Sequence, residues 1–222
     1  MSAVKYRRPL NKNQIHIINL LYKFRYINTN QFANYLNLNP RIINERLKIL
    51  LDQDFIDRFY DNSFKLKGKP AIYYLRPKSL AFLKTKDYYN HHATFIHYRN
   101  KRTNMTQINH YLKVFDIFQE LKKKYNDGYK FITKTELAKK LEDNVFLADI
   151  LIIKPSKEQI GVLYISNSLK NRNINTYIQN IIDSYNFNRL IIYFDNPRIT
   201  KLLNQLQYSY TDTLSINKLS SN

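Results

Sequence analysis

The chain has 222 residues, enough for one large domain or two small ones, and 44% of them are hydrophobic. That apolar share supports a packed core and excludes wholesale disorder. There is no cysteine, which excludes disulfides and thiolate metal sites and predicts a reducing, cytoplasmic location. No apolar run approaches the ~20 residues that span a bilayer, so we expect no membrane partner and no secretory signal.

The net charge of +19 is distributed unevenly along the chain. Residues 1–86 hold 17 Lys or Arg against 5 Asp or Glu, residues 87–103 hold 3 against 1, and residues 104–222 hold 16 against 11. A genome rich in A/T codons raises the lysine content everywhere, but it does not produce such an asymmetry. The charge therefore predicts that the N-terminal part binds a polyanion.

Three helices are predicted in the first part of the chain. Residues 11–26 show helical apolar spacing, and Thr29 is predicted to cap a short helix that ends at Leu36. After a turn at residues 37–39, Pro40 suits the first position of a third helix. One apolar stripe is predicted along that helix, formed by Ile43, Leu47, Leu50 and Leu51.

Two alternating segments, Phe55–Tyr60 and Ala71–Leu75, are typical of antiparallel strands. Between them, three lysines alternate around Gly68 in a predicted hairpin tip, and residues 78–84 follow as a fourth helix. This order of elements predicts an N-terminal winged helix-turn-helix domain over residues 1–86.

A helix preceded by a tight turn and a short helix presents its first residues to the major groove of double-stranded DNA. Arg41 suits guanine and Asn44 suits adenine, whereas Glu45 accepts from cytosine or pairs with a neighbouring cation. The lysines suit phosphates, and the alternative is that all of these are ordinary solvated side chains. The candidate DNA-binding residues are Asn39, Arg41, Asn44, Glu45, Lys48, Lys65, Lys67 and Lys69.

Residues 87–103 are predicted to form a basic linker. It contains His91, His92 and His97, but their spacing is poor for one ion and no thiol or carboxylate suited to share a metal lies beside them. We therefore expect no metal site and no cofactor.

Residues 104–222 are predicted to form a small α/β domain. Helices are expected over 104–125, 174–185 and 198–206, strands over 129–133, 146–153, 159–166, 190–194 and 213–216, and a helical or loop segment over 134–141. Helix, three strands, helix and strand is the core order of the PD-(D/E)XK nuclease-like fold. The fold class predicted for the whole chain is therefore α+β, a winged helix-turn-helix followed by a degenerate restriction-endonuclease-like core.

The chemistry of such a nuclease requires carboxylates on two adjacent strands to hold Mg²⁺ and a lysine to position water. Asp149 stands at the first position, but the second strand has Tyr164-Ile165-Ser166 where Glu-x-Lys is needed. Glu120 and Glu136 are the other carboxylates that could join Asp149. We predict no catalysis, and we assign this domain to dimerisation or partner binding.

Several short motifs recur in a known family. They are the third helix over 43–51, the step Ile56-Asp57-Arg58, the turn Gly68-Lys69-Pro70, the run Tyr74-Leu75-Arg76-Pro77-Lys78, the helix over 108–121, and Ala148-Asp149. Together they resemble the replication-relaxation family of plasmids and other mobile elements, over most of residues 12–206. The resemblance implies DNA binding in plasmid replication, transfer or their control. The chain departs from it over Leu163–Ser166, which argues against a nuclease activity.

The sequence thus predicts a sequence-specific, homodimeric binder of double-stranded DNA, with replication or transfer proteins as further partners, acting in replication, transfer or transcriptional control. Two alternatives remain open. One is a magnesium-dependent nuclease that the winged helix directs to its target, and the other is an interaction module that binds an acidic protein.

Overall fold

The computed structural model describes residues 9–86, 89, 91–125, 128–137, 147–166, 174–184, 187–209 and 213–219. The chain divides into two compact units, Met1–Asn104 and Met105–Asn222. Among the described residues, no helix combines the length and the apolar character needed to cross a membrane.

Three helices begin the first unit: α1 (Lys12–Phe24), α2 (Thr29–Leu36) and α3 (Pro40–Asp52). The prediction that Thr29 caps α2 was wrong, because the Asn28 side chain accepts from the Gln31 N–H and Thr29 is the first helical residue. The Gln31 side chain accepts from the Asn28 N–H in return, which completes a capping box. Pro40 occupies the first turn of α3, as predicted.

A small antiparallel sheet follows, formed by β1 (Ile27–Asn28), β2 (Ile56–Phe59) and β3 (Ile72–Leu75) in the order β1-β3-β2. The middle strand is buried along its whole length. Helix, strand, helix, helix, strand, strand is the order of a winged helix-turn-helix domain. The two-residue strand β1 is too short to show an alternating pattern.

The segment between β2 and β3 differs from the predicted hairpin tip. It contains a short helix, α4 (Asn62–Leu66), which Asp61 caps by accepting from the N–H groups of Ser63 and Phe64. Lys65 and Lys67 therefore lie on α4 and at its C-terminal end, and they do not alternate along an extended strand.

The first unit continues through α5 (Pro77–Leu83) and α6 (His91–His97) to a 3-10 turn at Asn100–Arg102. The segment predicted as a linker thus packs within this unit, because the side chains of His97 and Asn100 are buried. The side chains of His91 and His92 lie outside the described residues. Within the described part of the chain, no three His, Cys, Asp or Glu residues are grouped as metal ligands would be.

The second unit is built on a five-stranded sheet in the order β4-β5-β6-β7-β8. Its first three strands pair antiparallel and its last three pair parallel. The elements are α7 (Met105–Lys124), β4 (Lys130–Thr133), α8 (Lys134–Leu137), β5 (Ile150–Ile153), β6 (Gln159–Ile165), α9 (Ile174–Ser184), β7 (Arg189–Phe194), α10 (Thr200–Ser209) and β8 (Leu214–Lys218).

This element order is the predicted one. The central strands β6 and β7 are buried almost throughout, and apolar side chains of α9 and α10 pack on them. A Cβ at Gly161 in β6 would lie 2.9 Å from the ring of Phe187, so any other residue there would displace that ring. Some predicted termini, at residues 138–141, at Phe146 and at Tyr185, lie outside the described residues.

Candidate nucleic-acid interface

Helix α3 turns one side to the core and the other to solvent. Ile43, Leu47 and Leu50 are fully buried, as the predicted stripe requires, and Leu51 is half-buried at its margin. The opposite side therefore faces water, because a helix turns about 100° per residue. The exposed residues of α3 include the four predicted DNA contacts on this helix, Arg41, Asn44, Glu45 and Lys48.

Three of the candidate residues, Asn39, Arg41 and Glu45, contact one another. The Asn39 Oδ1 atom accepts from the Arg41 N–H at 2.8 Å, so this side chain caps α3. The Glu45 Oε1 atom lies 3.6 Å from Arg41 Nε, with 67% and 88% of these side chains exposed. Such an exposed pair adds only about 0.3–0.5 kcal/mol. Of the two roles predicted for Glu45, the structure contains the pairing with a cation.

A cleft of about 700 Å³ runs along one flank of α3, between that helix, the start of α2, and β2 with the residues before β3. Its lining contains three cations, Lys48 on α3, Arg58 on β2 and Lys69 before β3, and two carboxylates, Asp52 at the end of α3 and Asp57 on β2. Asn44 lies in the same wall, whereas Lys65 and Lys67 are not among its lining residues. The fold thus brings together side chains that are up to 25 residues apart in the chain.

Two exposed residues beside the cleft, Arg58 and Tyr60, are not among the contacts that the sequence predicts. The Arg58 guanidinium lies 5.2 Å from the centre of the Tyr60 ring, and Lys65 Nζ lies 5.9 Å from the same ring. Arg58 and Tyr60 are both exposed, and both line the cleft. Alternation along β2 was the available signal, because residues two apart in a strand lie on one face.

The family motifs have a structural role at the base of this surface. Asp57 pairs with Tyr74 across β2 and β3, and the Tyr74 hydroxyl donates to Asp57 Oδ2 at 3.1 Å. Burial, and next the Asp57 charge, raise the pKa of Tyr74, so it remains a phenol. Lys78 Nζ donates to the carbonyl of Gln53 and lies 4.2 Å from the centre of the Phe55 ring. These contacts fix the exit of α3 against the sheet.

In the second unit, Asp149 is buried and hydrogen-bonded. Its Oδ2 accepts from the Tyr164 N–H at 2.8 Å, and its Oδ1 lies 3.3 Å from His110 Nε2. Burial opposes the charged carboxylate, but His110, and next Lys134 and the Tyr164 N–H, outweigh it and lower the pKa of Asp149.

Glu120 and Glu136, the two carboxylates predicted as possible partners of Asp149, have different surroundings, and so has Asp195. Glu136 Oε2 accepts from the N–H and hydroxyl of Thr133 at 2.9 and 3.0 Å. The Tyr164 hydroxyl donates to Asp195 Oδ2 at 2.7 Å. Glu120 is exposed on α7, and the described residues contain no group of three such side chains around Asp149.

The geometry of the first unit defines a winged helix-turn-helix domain with an exposed α3 and, beside it, a cleft lined by three cations and two carboxylates. The family model described as replication-relaxation matches residues 18–138, more than half of the chain. The chain belongs to the replication-relaxation family. The match runs from α1 to the end of α8, and so it stops short of Asp149 and of residue 206, to which the resemblance was predicted to extend.

No protein of curated function matches the chain. Solved structures similar to it include ZitR from Lactococcus lactis, a mutant in the apo form, at 20% identity over 53% of this chain and 70% of ZitR, with a TM-score of 0.29. A second ZitR mutant, in complex with DNA, matches at 22% identity over 55% and 67%, with a TM-score of 0.30. Such TM-scores are too low for either likeness to carry an argument about this chain.

Proposed function

We propose that this protein binds double-stranded DNA sequence-specifically, in the cytoplasm, as a plasmid or mobile-element factor in replication, transfer or transcriptional control. The observation that carries the proposal is the continuity between the solvent side of α3 and the cleft lined by Lys48, Arg58 and Lys69. Membership of the replication-relaxation family supports the setting. The surplus of 17 basic over 5 acidic residues in residues 1–86 supports a polyanionic partner.

The docking follows from the shape of this surface. Helix α3 enters the major groove, where Arg41 and Asn44 reach the edges of bases. The phosphate strand that borders the groove lies in the cleft, in contact with Lys48, Arg58 and Lys69. Side chains on α3 supply the specificity, and the cations of the cleft supply affinity that does not depend on sequence.

The second unit acts without catalysis, as a degenerate nuclease-like core that forms a homodimer and recruits replication or transfer proteins. The order from α7 to β7 and the place of Asp149 beside β5 support the relationship. The bonds of Asp149 to Tyr164 and His110, and the absence of Glu-x-Lys in β6, support the loss of chemistry. In a two-fold dimer the two α3 helices would lie roughly 34–36 Å apart on a palindrome.

The test is a footprint on the DNA that flanks the protein's own gene, with parallel samples in Mg²⁺ and in EDTA. We expect a discrete protected site and uncut DNA in both samples. A salt-labile smear without a footprint would reduce α3 to a general polyanion contact. Cleavage with Mg²⁺ alone would identify a nuclease, and absence of DNA binding would favour an acidic protein as the partner.

Substitutions separate the two kinds of contact. Arg41→Ala or Asn44→Ala should cost roughly 1–3 kcal/mol on the protected site and relax its specificity. Arg58→Ala should instead weaken all sequences about equally and lower the slope of log affinity against log salt by about one. Lys123→Ala, an exposed lysine of α7, is the matched control and should change neither quantity. Identical behaviour of Arg41→Ala and Arg58→Ala would contradict the docking.

A further inference from the structure

The wing tip, residues 61–69, carries an apolar side chain in an unexpected place. Leu66 is 88% exposed, more than any other large hydrophobic residue among the described residues. A single exposed leucine needs no explanation by itself. Leu66, however, stands between Lys65 and Lys67, in a stretch of nine residues that holds three lysines.

The wing tip is braced at both ends of α4. At its start, Asp61 Oδ1 accepts from the N–H of Ser63 at 2.9 Å and from the N–H of Phe64 at 3.1 Å. At its end, Gly68 adopts the left-handed φ of +59° and its N–H donates to the Lys65 carbonyl. The Lys69 N–H donates to the Phe64 carbonyl, which completes a Schellman motif. Leu66 therefore projects from a short helix whose two ends are fixed by hydrogen bonds.

Helical geometry sets the direction of each side chain on α4. Phe64 is half-buried, and its ring lies 6.4 Å from the ring of Tyr60. Leu66 follows two residues later, about 200° around the helix, and so it points away from the domain. Lys65 and Lys67 each lie about 100° from Leu66, one on either side. The tip thus presents one exposed apolar side chain, Leu66, with the cations of Lys65 and Lys67 on either side of it.

A duplex minor groove has the complementary arrangement. It is about 6 Å wide, with a row of phosphates on each side and stacked bases at its floor. Apolar side chains that enter this groove wedge between base steps and kink the duplex by about 20–90°. Two cations that flank such a wedge would face the phosphates of the two strands.

We propose that Leu66 inserts between base pairs from the minor groove and bends the DNA, while Lys65 and Lys67 bind the phosphates of the two strands. This inference rests on the proposed function, since α3 in the major groove brings the wing to the neighbouring minor groove. It adds a deformation of the DNA to recognition by α3, and it favours sites with flexible TA steps under the wing.

The experiment uses the full chain and an A·T-rich duplex with TA steps, labelled at its ends with a donor and an acceptor dye. Wild-type protein should raise energy transfer as the ends approach each other. Leu66→Ala should bind about tenfold more weakly, with an unchanged salt slope and no rise in transfer. Leu66→Phe should retain the bend. Lys67→Ala should retain the bend but lower the salt slope by about one.

Tyr208→Ala is the matched control, because Tyr208 is 83% exposed in the second unit and its removal should leave affinity and bending unchanged. If Leu66→Ala bends the duplex as much as wild type does, the proposed insertion of Leu66 is wrong. The same follows if wild type binds the duplex without bending it. Either result leaves the proposed DNA binding intact. Failure of wild type to bind any duplex would defeat the proposed function and the wedge together. If Leu66→Ala loses binding to anionic vesicles but bends DNA as wild type does, Leu66 contacts a lipid surface instead.

Discussion

At the scale of single residues, buried polar groups decide where the first unit ends. Arg25 is buried, and its guanidinium donates to Asn100 Oδ1 and to the Ile96 carbonyl, both at 2.8 Å. The Tyr26 hydroxyl donates to the Asn100 carbonyl at 2.8 Å, and His97 Nε2 lies 3.1 Å from the Tyr22 carbonyl. Buried polar groups require such partners. Residues 96–103 are therefore held on α1.

His97 predicts a pH dependence of stability. Burial, and next the Arg25 charge, lower the pKa of His97 to about 3, against about 6.5 in the unfolded chain. The unfolded state then binds a proton that the folded state does not, so this contribution is complete above pH 6.5 and declines towards pH 3. Between pH 7.5 and 5.0 the free energy of unfolding should fall by about 2 kcal/mol.

Denaturant titrations of wild type and His97→Gln at both pH values check this prediction. The variant should be less stable at pH 7.5, because the packing of the imidazole is lost, but its stability should decline less on acidification. The exposed His16 provides a control, since His16→Gln should keep the wild-type decline. Equal declines in wild type and His97→Gln would contradict the assignment.

At the scale of elements, α4 shows how local bonds override a weak pattern. The lysines alternate between Asp61 and Lys69, and this pattern resembles an extended hairpin tip. The segment is nevertheless helical, and five residues are too few for a helical period to show in the sequence. Asp61 before the helix and Gly68 after it were the available signals. The structure uses both, and it thereby orients Lys65 and Lys67 differently from a hairpin.

Gly68 gives the prediction at this scale. Its φ of +59° lies in the left-handed region, and a Cβ added to it would have no atom within 4 Å, so Gly68→Ala should cost only the backbone strain. That strain is about 1–2 kcal/mol for a residue with a Cβ. Gly68→Asn should cost less, because asparagine tolerates this conformation. Equilibrium unfolding of the two variants checks the order, and equal losses would contradict the strain argument.

At the scale of the whole molecule, charge and architecture divide between the two units. The first 104 residues hold 20 Lys or Arg against 6 Asp or Glu, whereas the remainder hold 16 against 11. The first unit carries the exposed α3 and the cleft, and the second carries a five-stranded sheet with a buried carboxylate. The charge of the first unit accords with the DNA contact that we propose for it, and assembly is the role that we propose for the second unit.

Asp149→Asn tests that division. The substitution removes the charge that joins His110 to the Tyr164 N–H, which should cost the second unit about 1.5–3 kcal/mol. Affinity for a duplex with one half-site should persist, and the gain from a second half-site should shrink if the second unit forms the proposed dimer. Gel shifts on duplexes with one and two half-sites measure both.

Asp183→Asn is the control, because Asp183 is exposed and bonds only locally to Gln179 within α9. It should leave both affinities unchanged. Equal losses of Asp149→Asn on the two duplexes would place the second unit at the DNA, and unchanged binding to both would remove its role in assembly.

Much of the fold follows from the sequence alone. Helices such as α3 and α7, and strands such as β6, show their periods locally, because each period records which residues of one element face the core. Pro40 and the asparagines before α1 and α2 are local start signals in the same way. The exposure of Arg41 and Asn44 could be predicted from the apolar stripe on the opposite side of α3. The concentration of positive charge in residues 1–86 is also a property of sequence.

Only the tertiary structure decided which side chains meet. Lys48, Arg58 and Lys69 converge on one cleft because the paired strands β2 and β3 lie beside α3, and the local pattern that predicts the pairing does not encode this placement. Asp149 meets His110 across 39 residues for the same reason. The periodicity of a segment shows which of its residues face the core. Contacts between residues that are distant in sequence depend on how the elements pack together, and that packing exists only in the folded chain.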